Sequence, residues 1–212
     1  MNISTIFFDL DDTLYPASSG LWPLIKDRIG LFMRDRLDIP TGEVQPLRKR
    51  LFEEYGTTLR GLQKNYSFDV NEFLAFVHDV PLADYIRPDP VLRSVLKSLT
   101  AKKYIFTNAD VKHAQRVLKV LNLEDCFGGI IDVVALDPYC KPMPESFKIA
   151  LQIAHEQEAQ NCILIDDIPR TTQAARDQGM YAILYGNHAV PGMADAHLDD
   201  WSELPGLLEE RA

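Results

Sequence analysis

Near the start of the chain, residues 5–12 read TIFFDLDD. The first four of these residues are β-branched or aromatic, and such a short apolar run is typical of a strand buried on both faces of a parallel sheet. Three carboxylates follow at Asp9, Asp11 and Asp12, where the strand should end. Because ligands of open α/β sheets bind beyond the carboxyl ends of the strands, this stretch predicts a buried strand and a site directly after it.

Four more apolar runs of this kind occur later in the chain. They cover residues 104–106, 130–135, 162–165 and 181–185, and helical patterns lie between them. Strands that alternate with helices predict a parallel sheet with right-handed crossovers. We therefore expect an α/β protein with a doubly wound, Rossmann-like core.

The segment after the first strand interrupts this alternation. From residue 16 to residue 87 no good strand pattern occurs, and apolar residues recur at helical spacing instead. We predict an α/β core made of residues 1–15 and 88–212. A small helical cap, residues 16–87, is predicted to be inserted after the first strand.

The composition limits the class of partner. Hydrophobic residues make up 46% and charged residues 25% of the 212 residues, which is ordinary for a globular protein. With 22 basic and 31 acidic residues, the net charge of −9 argues against a nucleic-acid partner or an anionic membrane surface. Small anionic substrates stay open, because a bound divalent cation can reverse the local field.

Three further features favour a cytoplasmic protein. The N-terminal residues show no basic segment followed by an uninterrupted apolar run, so a secretory signal is not expected. No apolar run approaches the roughly 20 residues that a membrane span needs. The cysteines Cys126, Cys140 and Cys162 form no CxxC pair and are interpreted as reduced thiols.

Polar residues follow the predicted strands at four points. In chain order they are an acid pair, a hydroxyl with an amide, a lysine and a second acid pair: Asp9 and Asp11, Thr107 and Asn108, Lys141, and Asp166 and Asp167. Each has an ordinary explanation on its own, such as a turn, a helix cap or a solvated lysine. Together, at the carboxyl ends of parallel strands, they predict one polar site at one edge of the sheet.

The first acid pair has the spacing that acid–base chemistry needs. Alternation along a strand puts the side chains of Asp9 and Asp11 on the same side. Two adjacent carboxylates repel, so their pKa values should separate unless a cation intervenes. One carboxylate can then act as a nucleophile while the other holds a proton for a leaving group.

The remaining polar residues suit a phosphate and a metal ion. Asp166 and Asp167 supply the hard oxygen ligands that Mg²⁺ prefers. The Lys141 ammonium and the Thr107 hydroxyl are expected to hold phosphoryl oxygens and stabilise charge in the transition state. The predicted cofactor is Mg²⁺.

These residues resemble the four motifs of the haloacid dehalogenase superfamily of phosphohydrolases. The matching segments are FFDLDDTLY at 7–15, IFTN at 105–108, CKP at 140–142 and LIDD at 164–167. The resemblance covers roughly residues 4 to 185, including a helical cap where that superfamily inserts one.

The resemblance implies a role for each acid. Asp9 would be the nucleophile that forms an aspartyl-phosphate. Asp11 would be the general acid for the leaving alcohol and then the general base for the hydrolytic water. Mg²⁺ would be bound by Asp9, the Asp11 backbone carbonyl and Asp167, with Asp166 binding directly or through water.

Within the superfamily the chain looks most like the pyrimidine 5′-nucleotidase branch. This resemblance rests on DLDDTLYPASSGLW, on EYGTTLRGL in the cap, on FTNAD followed by HAQRVLKVL, and on CKPMPESF. One departure is that Ile168 and Pro169 follow the second acid pair, where related sequences often have a small hydroxyl residue.

Candidate substrate-binding residues are Asn108 and several side chains of the cap. Aromatic rings and arginines suit stacking on a base, and the cap offers Tyr55, Arg60, Tyr66 and Trp22. Tyr55 and Arg60 rank first because they flank glycines at which the chain can approach the site.

The five histidines show no zinc spacing, and each is predicted to be a surface residue rather than a ligand: His78, His113, His155, His188 and His197.

The leading expectation is an Mg²⁺-dependent phosphomonoesterase acting on nucleoside 5′-monophosphates. A sugar-phosphate phosphatase or phosphomutase is the alternative on the same scaffold. Carbon–halogen cleavage ranks last, because it has no leaving alcohol for Asp11 to protonate. A phosphate-binding or receiver-like domain is the non-enzyme alternative, disfavoured because the second acid pair follows the lysine and a cap interrupts the core.

Overall fold

The structure is a computed structural model that describes residues 3–186 and 190–209. Its centre is a sheet of six parallel strands in the order β3-β2-β1-β4-β5-β6. The strands are β1 (Thr5–Phe8), β2 (Lys102–Phe106), β3 (Gly129–Ile131), β4 (Cys162–Asp166), β5 (Tyr181–Tyr185) and β6 (Ala196–Leu198). The predicted doubly wound α/β fold is confirmed.

The strand order puts the carboxyl end of β1 at the middle of the sheet. Phe8, the last residue of β1, pairs with Ile105 of β2 on one side and Ile165 of β4 on the other. The chain builds outward from β1 to β3 and then crosses to β4 on the opposite side. The strand order reverses at this point, which is where ligands bind in open α/β sheets.

Helices occupy the connections and most of the segment between β1 and β2. They are α1 (Leu21–Leu37), α2 (Thr41–Tyr55), α3 (Thr58–Asn65), α4 (Val70–Val77), α5 (Leu82–Tyr85), α6 (Pro90–Ser98), α7 (Val111–Leu121), α8 (Pro144–Ile153), α9 (Pro169–Asp177) and α10 (Leu204–Glu209). The first five are the helices expected of the cap. That residues 16–87 form a separate domain stays a prediction.

Aspartate caps begin three of these helices. The carboxylates of Asp69, Asp89 and Asp110 each accept hydrogen bonds from two backbone N–H groups in the first turn of α4, α6 and α7, respectively. These N–H groups have no partner within the helix, so each cap stabilises its helix by about 1 kcal/mol.

The sheet is buried on both faces, as its apolar strands predict. Ile6 and Phe8 belong to one buried apolar cluster that extends through α7 to residues of α1 and α4. Phe7 points to the opposite face, where its ring lies 6.0 Å from that of Phe106. Phe106 in turn contacts Phe147 of α8 at 5.5 Å.

The sequence-based strand pattern was wrong in two places. The third strand ends at Ile131 rather than residue 135, because the Asp132 carboxylate turns the chain by accepting hydrogen bonds from the N–H groups of Val111 and Ala135, both at 2.8 Å. The short strand β6 was not predicted.

Among the described residues, no helix has both the length and the apolar character to cross a membrane. All three cysteines are free and buried.

Candidate active site

The centre of the candidate site is an ammonium between two carboxylates. Asp9 continues β1 by one residue, and its N–H donates to the Ile165 carbonyl at 2.9 Å. The Lys141 Nζ donates to Asp9 Oδ1 at 2.7 Å and to Asp166 Oδ2 at 2.6 Å. All three side chains are buried. The structure therefore brings together the predicted residues from three separate motifs.

The residues after β2 hold the lysine loop in place. Asn108 donates from Nδ2 to the Lys141 carbonyl, and its Oδ1 accepts from the Lys141 N–H, both at 2.9 Å. Thr107 is buried, and its Oγ1 accepts from the Ala109 N–H at 3.0 Å. The Thr107 hydroxyl and the Asn108 amide both line the cavity described below.

Three carboxylates form a group that fits a divalent cation. One oxygen each from Asp9, Asp166 and Asp167 lies within 4.8 Å of the others. Burial, with the neighbouring Asp166 and Asp9 carboxylates, raises the pKa of Asp167 to about 9. Asp12, which was not singled out as a site residue, also lines the cavity, and its buried Oδ1 has no partner among the described residues. This excess of hard, unneutralised oxygen suits Mg²⁺.

The pKa values of the first acid pair separate, as the spacing predicted, but their order is the reverse of the one that an anionic Asp9 and a protonated Asp11 need. Burial raises the pKa of Asp9 to about 7, although Lys141 opposes it, and Asp166 and Asp11 add to the rise. Burial also acts to raise the pKa of Asp11, but the charge and hydrogen bond of His113, with the hydrogen bond of Tyr15, outweigh it and lower that pKa. A divalent cation beside Asp9 would lower the pKa of Asp9 again.

The prediction that the histidines lie at the surface was wrong for His78 and His113. His113 is buried, and its Nε2 lies 2.9 Å from Asp11 Oδ1. The His78 ring stacks on it with the centroids 4.2 Å apart. One comes from the end of α4 and the other from α7, so only the fold brings them together. His188 lies outside the described residues.

A cavity of about 550 Å³ opens beside Asp9 and is closed on its other side by α1, α2 and α4. Trp22, Phe52 and Phe73 are its aromatic lining residues. Lys26 and Arg48 add positive charge, and burial together with the neighbouring Arg48 lowers the pKa of Lys26. These two cations were not identified from the sequence, since no motif marks them.

Three of the predicted substrate residues lie elsewhere. Among the described residues that line the cavity, Tyr55, Arg60 and Tyr66 are absent, whereas Trp22 is present. The buried Arg60 guanidinium donates to the carbonyls of Val133, at 2.6 Å, and Tyr139, at 2.9 Å. These hydrogen bonds use the donors of Arg60 to hold α3 against the loop after β3. Since neither Arg60 nor Tyr55 lines the cavity, they do not enter the function proposed below.

The departure after the second acid pair has a simple local structure. The Ile168 N–H donates to Asp166 Oδ1 at 2.9 Å, and Pro169 begins α9. Arg170 then reaches the carbonyls of Phe52 and Gly56, both at 2.9 Å. The backbone of Ile168 thus orients Asp166, and the residue after Pro169 fastens α9 to the end of α2.

Comparisons with known proteins agree with this arrangement. A family model described as haloacid dehalogenase-like hydrolase matches residues 3–179. Phosphate metabolism protein 8 of Saccharomyces cerevisiae is 32% identical over 193 residues, covering 84% of this chain. The match covers 60% of that protein, so the chain spans about three fifths of its length.

Two further proteins resemble nearly the whole chain. Glyceraldehyde 3-phosphate phosphatase of Pyrococcus furiosus is 27% identical, with 98% of this chain and 92% of that protein covered. A solved structure described as a predicted phosphoglycolate phosphatase from Haemophilus somnus 129PT has a TM-score of 0.69 at 18% identity, covers 98% of this chain and 99% of that one, and shows the same fold. With the family model matched over most of its length, this chain belongs to the haloacid dehalogenase-like hydrolases.

Proposed function

We propose that this chain is an Mg²⁺-dependent phosphomonoesterase that works through an aspartyl-phosphate on Asp9. Its substrate is a small phosphorylated metabolite, and we propose a nucleoside 5′-monophosphate with a pyrimidine base preferred. The observation that carries the proposal is the Lys141 ammonium bound to both Asp9 and Asp166 at the edge of a cavity of ligand size. The three cysteines of the chain are free and buried, which suits a reducing compartment, and we propose that the protein acts in the cytoplasm.

Asp9 is the nucleophile in this proposal. A carboxylate oxygen of Asp9 attacks the phosphorus, and the bond from phosphorus to the leaving oxygen breaks. Lys141 supplies a positive charge next to Asp9, and Thr107 and Asn108 line the same cavity, which supports their hydroxyl and amide as donors to phosphoryl oxygens. Donors fixed in a buried site stabilise the charge that develops in the transition state.

Asp11 moves the proton in both halves of the reaction. It donates its proton to the leaving oxygen as the aspartyl-phosphate forms. It then accepts a proton from the water that attacks the phosphorus of this intermediate, which restores the Asp9 carboxylate. Asp11 lines the same cavity as Asp9, so both reach one substrate.

The residues that would hold Mg²⁺ are Asp9, Asp167 and the Asp11 carbonyl, with Asp166 binding directly or through water. The oxygens of the three carboxylates lie close enough to share one ion. When bound, the ion supplies positive charge that reduces the repulsion between the Asp9 carboxylate and an anionic phosphate.

The cavity lining supports a substrate with a planar, partly apolar group. Trp22 and Phe52 present aromatic rings, and Ile25 and Phe73 add apolar surface. A nucleobase combines a flat face for stacking with polar edges. A sugar phosphate is the second candidate, because two relatives are named as phosphatases of a three-carbon sugar phosphate.

Phosphate release from a panel of nucleoside monophosphates and sugar phosphates, with Mg²⁺ and with EDTA, tests the proposal. We expect release that requires Mg²⁺, is fastest for UMP and CMP, and is lost in the Asp9→Asn variant. Faster release from sugar phosphates would replace the proposed substrate and keep the chemistry. Mg²⁺-independent release, or none from any ester, would contradict the proposed function.

A further inference from the structure

The Asp11 carboxylate is held from one side only. Its Oδ1 accepts a hydrogen bond from the Tyr15 hydroxyl at 2.6 Å and another from His113 Nε2 at 2.9 Å. Its Oδ2 receives none from the described residues. Since Asp11 lines the cavity, one oxygen is fixed by the protein and the other is left for a substrate.

His113 is held in place by Asp110, at the start of its own helix, and by His78, at the end of α4. Asp110 Oδ1 accepts from the His113 N–H at 3.1 Å, and Asp110 Oδ2 binds His78 Nδ1 at 2.5 Å. The His78 ring covers the His113 ring. Arg116 of the same helix donates to the carbonyls of His78 and Val80, both at 2.7 Å. Asp110 thus binds the backbone of His113 and the ring of His78, and Arg116 holds the backbone that carries His78.

Packing alone does not account for an imidazole at this position. The His113 side chain is fully buried, and its Nδ1 has no hydrogen-bond partner among the described residues. A buried polar atom without a partner costs free energy, which an apolar residue would avoid. The bond that the imidazole does make is the one from Nε2 to Asp11.

We propose that His113 is a positioning residue that turns the Asp11 carboxyl so that Oδ2 faces the leaving oxygen of the substrate. The proposal rests on the proposed phosphoryl transfer and adds a residue to it. Because Tyr15 and His113 both bind Oδ1, Oδ2 is the oxygen that carries the proton when Asp11 acts as the acid. It passes from Oδ2 to the leaving oxygen as the bond to phosphorus breaks and the bond to Asp9 forms. His113 keeps its own proton and touches no reacting atom.

Two amide variants separate this role from a structural one. In His113→Gln the side-chain N–H groups lie near the position of Nε2, so the hydrogen bond to Asp11 can be kept. In His113→Asn the amide is shorter and does not reach Asp11. Both variants replace the imidazole with a neutral amide of similar polarity. Gln115→Ala, an exposed change on the same helix, is the control.

The measurement is kcat/KM for p-nitrophenyl phosphate and for an alkyl phosphate ester, with the melting temperature of each variant recorded. This constant reports steps up to the phosphorylation of Asp9, and a p-nitrophenolate leaves without help from an acid. For His113→Asn we expect kcat/KM to fall about tenfold to a hundredfold on the alkyl ester and less than about threefold on the aryl ester. His113→Gln should recover most of the loss, and Gln115→Ala should match the wild type on both esters.

Each of the other outcomes overturns either the role of His113 or the proposed function. Equal losses on the two esters, or equal activities of the Asn and Gln variants, would overturn the role of His113 while leaving the phosphatase proposal intact. Failure of the wild-type protein to hydrolyse either ester would overturn the proposed function, and this role with it.

Discussion

Asn108 and Lys141 exchange two hydrogen bonds of 2.9 Å, one in each direction, between the amide side chain and the lysine backbone. Asn108 lies two residues beyond the end of β2, whereas Lys141 lies on the loop before α8. These hydrogen bonds fix the backbone of Lys141, and from this position its ammonium reaches Asp9 and Asp166. A residue predicted to bind substrate therefore also positions Lys141, for which we propose a catalytic role.

Replacing Asn108 with Ala should lower activity more than stability. Loss of both hydrogen bonds frees the Lys141 backbone, and a displacement of about 1 Å can reduce a rate about a hundredfold. We expect kcat on a phosphate ester to fall about tenfold to a hundredfold. Asn65→Ala, which loses one hydrogen bond to the Gly61 carbonyl away from the cavity, is the control. Unchanged kcat in Asn108→Ala would show that the loop is held by other contacts.

Removing the Lys141 ammonium should destabilise the metal-free protein. The Lys141→Ala variant leaves Asp9 and Asp166 buried and close together without their shared cation. Breaking a buried ion pair from one side costs about 3 kcal/mol, and we expect a loss of that size in urea unfolding with EDTA at pH 8.

Lys97 provides the matched control for this change. Its ammonium pairs with Asp125 at 2.8 Å, but the two side chains are 44% and 59% exposed. An exposed pair contributes less than about 1 kcal/mol, so Lys97→Ala should lose much less stability than Lys141→Ala. Equal losses would contradict a buried electrostatic role for Lys141.

The stability of the metal-free protein should fall as the pH rises from 7 to 9. Burial and the carboxylates of Asp166 and Asp9 raise the pKa of Asp167 to about 9, so in this range Asp167 keeps its proton when folded and has lost it when unfolded. The folded state then binds more protons than the unfolded state, and unfolding becomes easier as protons are removed. We expect a fall in melting temperature of more than about 5 °C in EDTA.

Asp167→Asn and added Mg²⁺ should each reduce this fall. The variant has no proton to lose at that position, and the ion replaces the proton as the positive partner of the carboxylates. The melting temperature should therefore rise more on addition of Mg²⁺ at pH 9 than at pH 7. A wild-type profile that is flat in EDTA, with the same slope in Asp167→Asn, would argue against the raised pKa.

Gly56 is a position at which a side chain should disturb the site. Its φ is +82°, and a Cβ would lie 2.9 Å from both the Cys140 Sγ and the Lys141 carbonyl oxygen. Gly56→Ala should cost about 2 kcal/mol and also lower kcat. Gly42, in the first turn of α2, has no atom within 4 Å of such a Cβ. Gly42→Ala should be within about 0.5 kcal/mol of the wild type, or slightly more stable, and as active. Equal effects in urea unfolding would refute the close approach at Gly56.

The centre of the site was predictable because its signal is local. Asp9, Thr107 and Asp166 each stand at the end of a short apolar run, and a parallel sheet brings such ends to one edge. Lys141 was found by its motif, although the contact with Asn108 that places it was not. These residues needed only the strand pattern and the order along the chain.

The contacts between distant segments were not predictable. His78 and His113 meet because the chain after α4 passes beside α7, where Arg116 binds the carbonyls of His78 and Val80, and no periodicity in either helix predicts this contact. Arg60 was assigned to the substrate because it lies beside a glycine, but carbonyls of the loop after β3 use its donors. The strand β6 has three residues, too few to show a pattern.

The proposed mechanism is tested most directly by the chemical state of Asp9 during turnover. Protein mixed with a phosphate ester and Mg²⁺ is quenched in acid within milliseconds. It is then digested, and the masses of its peptides are measured by mass spectrometry. We predict one added phosphoryl group on the peptide that contains Asp9, appearing and decaying with turnover and missing from Asp9→Asn. Phosphate release by the wild type with Asp9 unmodified at every time, or a phosphoryl group on another residue, would contradict the account.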